Sequence, residues 1–321
     1  MIPMSMNEKS RGQSGHSGQY RRKNVRDVNG ILILDKPVGM TSNRVLQKVK
    51  NMYGARKAGH TGSLDPLASG MLPLCFGQAT KVSQWLLDAD KVYEVEAFIG
   101  TRTDTADADG QMVATSECTR ITPEMLATAM ASHRGEIDQV PPMYSALKQS
   151  GRRLYELARE GKEVERKARR VNIYDLEVIR FDPCRPVLRV RCSKGTYIRT
   201  LVETLAEAMG TLAHVAALRR IALGPFATTS MVTLEQISAL AEDRGALDKL
   251  LIPADTALER FPAVELTADE AFYLRRGHPV GHASQGLSGL VRIYDQEARF
   301  MGIGEIQPEG AIAPKRLFVG A

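Results

Sequence analysis

Between Gly59 and Leu74 the chain reads GHTGSLDPLASGMLPL, a stretch with three glycines and two prolines. No helix can run through it, because proline removes a backbone donor and clashes with the preceding turn, while glycine weakens a helix by roughly 1 kcal/mol. It reads as a loop that delivers one histidine, His60, and one carboxylate, Asp65, just before apolar sequence resumes. The residue before a proline is biased toward extended backbone, so Asp65 is expected in a turn rather than a helix. Asp-Pro is by itself a common turn starter. Yet loops braced by a rigid scaffold are where binding and catalytic groups gather, so the fold must hold this one firmly.

The scaffold around it reads as α+β. Ile31–Leu34 (ILIL) is a short buried strand stopped by Asp35-Lys36-Pro37-Val38-Gly39. Alternation in Tyr93–Ile99 and Val187–Cys192 predicts half-buried antiparallel strands. Thr122-Pro123 opens a helix with a cap and a first-turn proline, and apolar residues from Ile198 to Met209 recur at helical spacing and stop at Gly210. Capping boxes Thr233-x-x-Gln236 and Thr267-x-x-Glu270 start two more helices, the second ended by Gly277. Pro253 and Pro262 punctuate a segment without periodicity, read as a domain boundary. Short strands are expected at Leu290–Tyr294 and Met301–Ile306. At 321 residues two domains are expected.

The net charge of +6 is unevenly spread. Met1–Arg26 holds six Lys and Arg against Glu8 alone, and Lys148–Arg170 holds nine against four glutamates, so the remaining chain is slightly acidic. Residues 1–29 read as a disordered basic arm, poor in acids and without an amphipathic period. The block 148–170 reads either as a solvated helix of mixed charge or as a nucleic-acid contact. No apolar run approaches membrane-spanning length. The cysteines at 75, 118, 184 and 192 form no CxxC pair, which leads us to expect free thiols and a reducing, cytoplasmic setting.

Three motif matches fail on chemistry. Gly54-x-x-x-x-Gly59-His60-Thr61 fits a phosphate loop except for the lysine that would carry charge onto the phosphates. Asp104, Asp107 and Asp109 before Gly110 hint at a calcium loop, but its register puts Thr105 at the first ligand position and Ser116 at the last. His278 and His282 are separated by Pro279 and Gly281, which prevents a helical pair of metal ligands. No phosphate loop, calcium loop or helical pair of metal ligands is expected from these residues, and the cysteine spacing offers no zinc knuckle.

The stretch GHTGSLDPLASGMLPLCFGQATK resembles the aspartate motif of the TruB family of pseudouridine synthases. Leu34-Asp35-Lys36-Pro37, Gly100-Thr101-Arg102-Thr103-Asp104-Thr105 through Asp109-Gly110, Pro141-Pro142-Met143-Tyr144-Ser145-Ala146-Leu147-Lys148, Lys194-Gly195-Thr196-Tyr197-Ile198-Arg199-Thr200-Leu201 and Leu218-Arg219-Arg220 are similar to further segments of that family. Together they cover Gly30 to about Gly224 in order. Leu274-Arg275-Arg276-Gly277 and Gly302-Ile303-Gly304-Glu305-Ile306 resemble a PUA-type RNA-binding barrel.

The resemblance implies a pseudouridine synthase fold: a mixed, largely antiparallel sheet flanked by helices over residues 30–252, followed by a linker and PUA-like β-barrel over 253–321. It implies isomerisation of uridine 55 in the T-arm loop of tRNA, without a cofactor or metal, by a cytoplasmic monomer. Asp65 would be the reacting carboxylate and Arg199 its cationic partner, where helical spacing alone favours Arg199 pairing with Glu203. Tyr93 would pack on a flipped-out uridine, with its hydroxyl a candidate for the C5 proton. Tyr197 and Leu218 would line the uridine pocket, and His60 would contact RNA beside it. Arg275 and Arg276 would reach the acceptor stem. The alternatives are a guide-RNA-dependent pseudouridine synthase with protein partners, which the LASGMLPLCFG continuation and lack of a long lysine-rich C-terminal tail disfavour, and a non-catalytic RNA-binding or RNA-folding protein.

Overall fold

A computed structural model describes residues 25–149, 151–226, 231–282 and 286–318. The first half of the chain runs β1 (Gly30–Lys36), α1 (Ser42–Tyr53), β2 (Ala58–His60), β3 (Ser69–Phe76), α2 (Ser83–Asp88) and β4 (Lys91–Ile99). A hairpin of β5 (Thr101–Thr103) and β6 (Met112–Thr115), α3 (Pro123–Ser132) and β7 (Gly135–Gln139) follow. Next come a second hairpin of β8 (Lys148–Gln149) and β9 (Arg152–Arg153), α4 (Leu154–Arg159), β10 (Arg169–Arg180), β11 (Val187–Cys192), α5 (Ile198–Ala208) and β12 (Ala213–Leu223). The body ends with β13 (Val232–Thr233), α6 (Leu234–Ala239) and α7 (Arg244–Asp248).

Nine of these strands form one mixed sheet in the order β13-β1-β3-β12-β4-β11-β10-β7, with β2 also paired to β3. Its two faces account for the ILIL run. Leu32 and Leu34 join a cluster with Val45 and Val49 of α1, Leu126 of α3 and Leu201 and Leu205 of α5. Ile31 and Ile33 point the other way, into a cluster with Met71, Leu86 and Ile303. A strand covered on both sides needs apolar residues at every position, not at alternate ones. β4 shows the opposite pattern, with every second residue buried from Lys91 to Ile99.

The C-terminal unit contains β14 (Ala263–Glu265), α8 (Ala268–Arg275), β15 (Val280–Gly281), β16 (Gly289–Tyr294), β17 (Phe300–Ile306) and β18 (Ala311–Leu317), paired as β14-β16-β17-β18-β15. This curled five-stranded sheet agrees with the expected PUA-like unit. Close strand approach explains Gly302: a Cβ there would sit 2.1 Å from the Arg316 carbonyl oxygen. Phe300, Leu290 and Phe318 pack into the cluster on the back of the main sheet, and Lys81 Nζ donates to the Leu317 carbonyl at 2.6 Å. The stretch expected as a linker, 253–262, is itself packed, with Ala257 and Leu258 buried against the sheet.

The expected arm of residues 1–29 is also corrected at its end. Residues 1–24 lie outside the described residues, but Val28 is buried and Arg26 is held in place. Arg26 donates to the Tyr53 carbonyl at 2.8 Å and grips Asp248 with both terminal nitrogens. One of the tail's cations is therefore a structural clamp. The expectation of four free thiols is overturned as well: Cys118 and Cys184 form a disulfide, with Cα atoms 5.1 Å apart, while Cys75 and Cys192 are free and buried. The partners stand 66 residues apart, a pairing made by tertiary structure and invisible to local spacing. Cysteine spacing thus no longer argues for a reducing setting. Among the described residues no helix is long and apolar enough to cross a membrane.

Candidate active site

The Asp65 loop is bracketed from four sides. Ser42, at the start of α1, accepts from the Leu64 amide at 2.8 Å and donates to the Leu64 carbonyl at 3.1 Å. The Gly39 amide donates to the Pro66 carbonyl at 2.8 Å, and Ala68 closes a turn onto the Asp65 carbonyl at 3.1 Å. Lys36, fully buried at the end of β1, donates to the carbonyls of Pro37 and Met40 at 2.7 Å and reaches Pro66 at 3.5 Å. Burial pushes the Lys36 amine down to about 8, against the pull of nearby Asp65. From β12, Arg220 donates to the Gly62 carbonyl at 3.1 Å and the Met71 carbonyl at 2.7 Å. The loop then enters β3 at Gly70, whose φ of +97° and the Arg220 carbonyl 2.2 Å from any Cβ leave room for glycine only.

Asp65 therefore presents its carboxylate from an extended, well-anchored turn. Its partner is Arg199 on the first turn of α5, with Nε 3.0 Å from Oδ2. Arg199 is 3% exposed, and every face of its guanidinium is used. Nη1 donates to the Thr105 carbonyl at 2.8 Å and lies 3.6 Å from the buried Asp107 carboxylate, while Nη2 donates to the Tyr144 carbonyl at 2.7 Å. One fork thus ties together α5, the β5–β6 hairpin and the segment after β7. Glu203, the partner that helical spacing favours, pairs instead with Arg102 at 3.3 Å. Asp107 is steered inward by a strained neighbour: Ala106 sits at φ 60°, pinned by the Val215 amide donating to its carbonyl at 3.0 Å.

The Asp65 side chain keeps 41% of its accessible surface, open toward a cavity, while protein encloses the rest. That enclosure raises its carboxyl above the ordinary range; Arg199 pulls it back down, and Asp107 pushes it up. The cavity holds about 330 Å³ and is walled by Asp65, Lys91, Tyr93, Tyr197, Leu218 and Arg220, among others. Tyr93 is nearly buried on β4, and burial raises its phenol. Tyr197 is fixed by its backbone, its amide donating to Gln139 Oε1 at 2.7 Å and its carbonyl accepting from Gln139 Nε2 at 3.0 Å. His60 does not line the cavity: it lies on β2, with a buried Nδ1 lacking a partner and its pKa lowered by burial and by Arg220. Among the described residues no group of three His, Cys, Asp or Glu side chains is placed to hold a metal ion.

Sequence reasoning did not assign Lys36, Lys91, Asp107 or Arg220 to the site. Three of them lie inside the family-like motifs, but nothing local marks a buried lysine or arginine as part of a site. Inside the basic block, Arg152 pairs with Glu160, Arg166 with Glu163, and Arg170 with Glu136 and Asp138. Lys148, Arg153, Arg159, Lys167 and Arg169 are exposed and have no carboxylate within ion-pair distance among the described residues.

Comparison with known proteins identifies the family. Residues 50–198 match the family described as TruB family pseudouridylate synthase (N terminal domain). Residues 199–259 match the tRNA pseudouridylate synthase B C-terminal domain, and 262–318 match Pseudouridine synthase II TruB, C-terminal. A protein of Shigella boydii serotype 4 (strain Sb227), tRNA pseudouridine synthase B, is 50% identical over 93% of this chain and 98% of its own. The chain belongs to the TruB family of pseudouridine synthases. The Salmonella typhi relative of the same name is also 50% identical, over the same shares of each chain. A solved chain from the structure titled Crystal Structure of a Cbf5-Nop10-Gar1 Complex superposes with a TM-score of 0.70 at 26% identity, covering 90% of this chain and 85% of that one. Within a TruB-family enzyme the Asp65–Arg199 pair lies where the family-like motifs converge, although those motifs are scattered from Lys36 to Arg220.

Proposed function

We propose that this TruB-family enzyme acts on tRNA and converts uridine 55 of the T-arm loop to pseudouridine, with Asp65 as the reacting carboxylate. The observation that carries the reading is Asp65, ion-paired to Arg199 at 3.0 Å, at the mouth of a cavity walled by Tyr93, Tyr197 and Leu218. The relatives named tRNA pseudouridine synthase B support tRNA as the substrate.

The reaction detaches uracil from ribose, turns it and rejoins it through C5. A base inside a folded loop must first be flipped out, at a cost of a few kcal/mol, which stacking at about 1–3 kcal/mol per base helps to offset. Tyr93 supplies the stacking ring, and Tyr197 and Leu218 close the sides of the cavity. At the sugar–base junction a carboxylate can attack C1′, add to C6 of uracil or take the 2′-proton, and in each route the ionised form is the reactive one. Arg199 keeps Asp65 ionised and fixed. His60, on the strand leading into the loop, contacts RNA beside the cavity, and Arg275, at the end of α8, and Arg276 just after it contact the acceptor stem. The enzyme works as a monomer and needs no cofactor.

The decisive assay uses T-arm RNA tritiated at uracil C5. The protein is expected to release tritium in the presence of EDTA, and to release none when position 55 is the sole unlabelled uridine. No release from any uridine would leave the non-catalytic RNA-folding reading standing. Release only after addition of a guide RNA would favour the guide-dependent one.

The ion pairs of the basic block support a division of labour among its cations. Phosphate contacts carry the salt dependence of binding, and a cation already paired to a carboxylate contributes less. Replacing Arg153 and Arg169 by Gln is expected to weaken RNA binding and to reduce the slope of log K against log salt by roughly 1 for each phosphate no longer neutralised. Replacing the paired Arg152 and Arg170 should change it less. Equal effects from the two pairs would show that the ion pairs do not govern which cations bind.

A further inference from the structure

Arg219 and Arg220 are neighbours on β12 with opposite fates. Arg219 turns to the exposed side and grips Asp35, with Nη2 2.7 Å from Oδ2. Arg220 turns inward, is 1% exposed, and has no carboxylate within ion-pair distance among the described residues. Its hydrogen bonds go to the neutral carbonyls of Met71 and Gly62. A guanidinium taken out of water and given only neutral acceptors is an expensive arrangement, one that favours any negative charge developing beside it. The register of β12 on β4 puts Arg220 directly opposite Tyr93, and both line the catalytic cavity.

We propose that Arg220 is a positioning residue for Tyr93, holding the phenol oxygen toward the bound base and supplying the counter-charge for the phenolate that receives the C5 proton. The inference rests on the function proposed above. Once C5 has bonded to ribose C1′, that carbon carries both the new bond and its hydrogen, and N1 is doubly bonded to C6. The Tyr93 phenolate takes the C5 proton. The C5–H electron pair forms the C5=C6 bond, and the N1=C6 pair moves onto N1. N1 then gains a proton through water, and the Tyr93 phenol returns its own proton to water, so the isomerisation leaves no net charge or proton behind.

The surroundings fit this role. Burial pushes the Tyr93 phenol up, as do the Cys192 thiol on β11 and Asp65, and the Arg220 guanidinium is the group that opposes them. Of the other basic groups near by, Arg199 and Lys91 line the cavity, while Lys36 and His60 lie beside it. Burial lowers Lys36, Lys91 and His60, and the field of Arg220 lowers each of them further.

A double-mutant cycle on the full-length protein tests the proposal, reading single-turnover tritium release from saturating T-arm RNA across pH. R220M is expected to slow release by about 100-fold, the scale of a lost acid–base contribution, with RNA affinity changed little. In a Y93F background the same substitution should cost about 10-fold less, because the group through which Arg220 acts is already gone and only its anchoring of the Asp65 loop at Gly62 and Met71 is lost. R220K should recover part of the rate, with the limb that reports phenol ionisation moved to higher pH. Equal loss in both Tyr93 and Y93F backgrounds would overturn the proposal and make Arg220 a structural clamp. Should R220M fail to fold or Y93F fall below detection, the R220K pH profile decides, and an unshifted limb overturns the proposal. A wild-type protein that releases no tritium would overturn the function itself, and this inference with it.

Discussion

Asp65→Asn is expected to bind T-arm RNA about as tightly as the wild type and to release no measurable tritium, a loss on the order of 10⁴-fold or more. Asparagine keeps the shape of the side chain and leaves an oxygen for the Arg199 Nε that now stands 3.0 Å from Oδ2. The anchors of the loop, from Ser42, Gly39, Lys36 and Arg220, all act on its backbone and are untouched. What disappears is the ionisable oxygen. Stability should move the other way. Because burial raises the folded carboxyl above its ordinary value of 3.8, ionised Asp65 costs stability. That cost is absent below the ordinary value and grows as pH rises through the folded one. At neutral pH the variant is therefore expected to melt at or above the wild-type temperature, as when a strained functional group is removed. Equal tritium release by both proteins would end the assignment of Asp65. A lower melting temperature would show the charge to be structural.

The elements that sequence makes legible are those whose signal is local. The helix Ile198–Ala208, the strands at Tyr93–Ile99 and Val187–Cys192, and the caps at Thr233 and Thr267 follow from periodicity and side-chain-to-backbone bonds a few residues long. Turn placement of Asp65 likewise follows from its proline. The inner wiring of the site does not. That Arg199 ignores Glu203 and reaches Asp65, Thr105, Asp107 and Tyr144 is decided by packing of the hairpin against α5, which no spacing rule encodes. Arg219 and Arg220 look equivalent in sequence, and only strand alternation between a solvated and a buried face separates them. Charge counts mislead for the same reason: Arg26, Arg152 and Arg170 add to the basic total but are already paired with carboxylates. The disulfide joins the loop after β6 to the loop between β10 and β11, and its cysteines share no local motif.

Arg199 offers the sharper dissection, because one substitution removes four interactions that do different things. Arg199→Ala leaves the buried Asp107 carboxylate without its cation and orphans the carbonyls of Thr105 and Tyr144, so a stability loss of about 3–5 kcal/mol is expected from denaturant melts. It also removes the charge that lowers the Asp65 carboxyl, leaving burial and the Asp107 carboxylate to push it further up. Since the ionised carboxylate is the reactive form, the acid limb of the rate profile should move to higher pH. Arg199→Lys separates the two effects. An ammonium restores a positive charge near Asp65 but cannot reproduce a planar fork that meets a carboxylate and two carbonyls at once. Its acid limb should return most of the way toward the wild type while its rate at the plateau stays low, because Asp65 is no longer held at a fixed angle. If the lysine variant recovered both the limb and the plateau, charge alone would suffice and the fork would be incidental. If neither variant moved the limb, Asp65 would not be the group whose ionisation the rate reports, and the pairing at 3.0 Å would belong to the architecture of the loop, not to its chemistry.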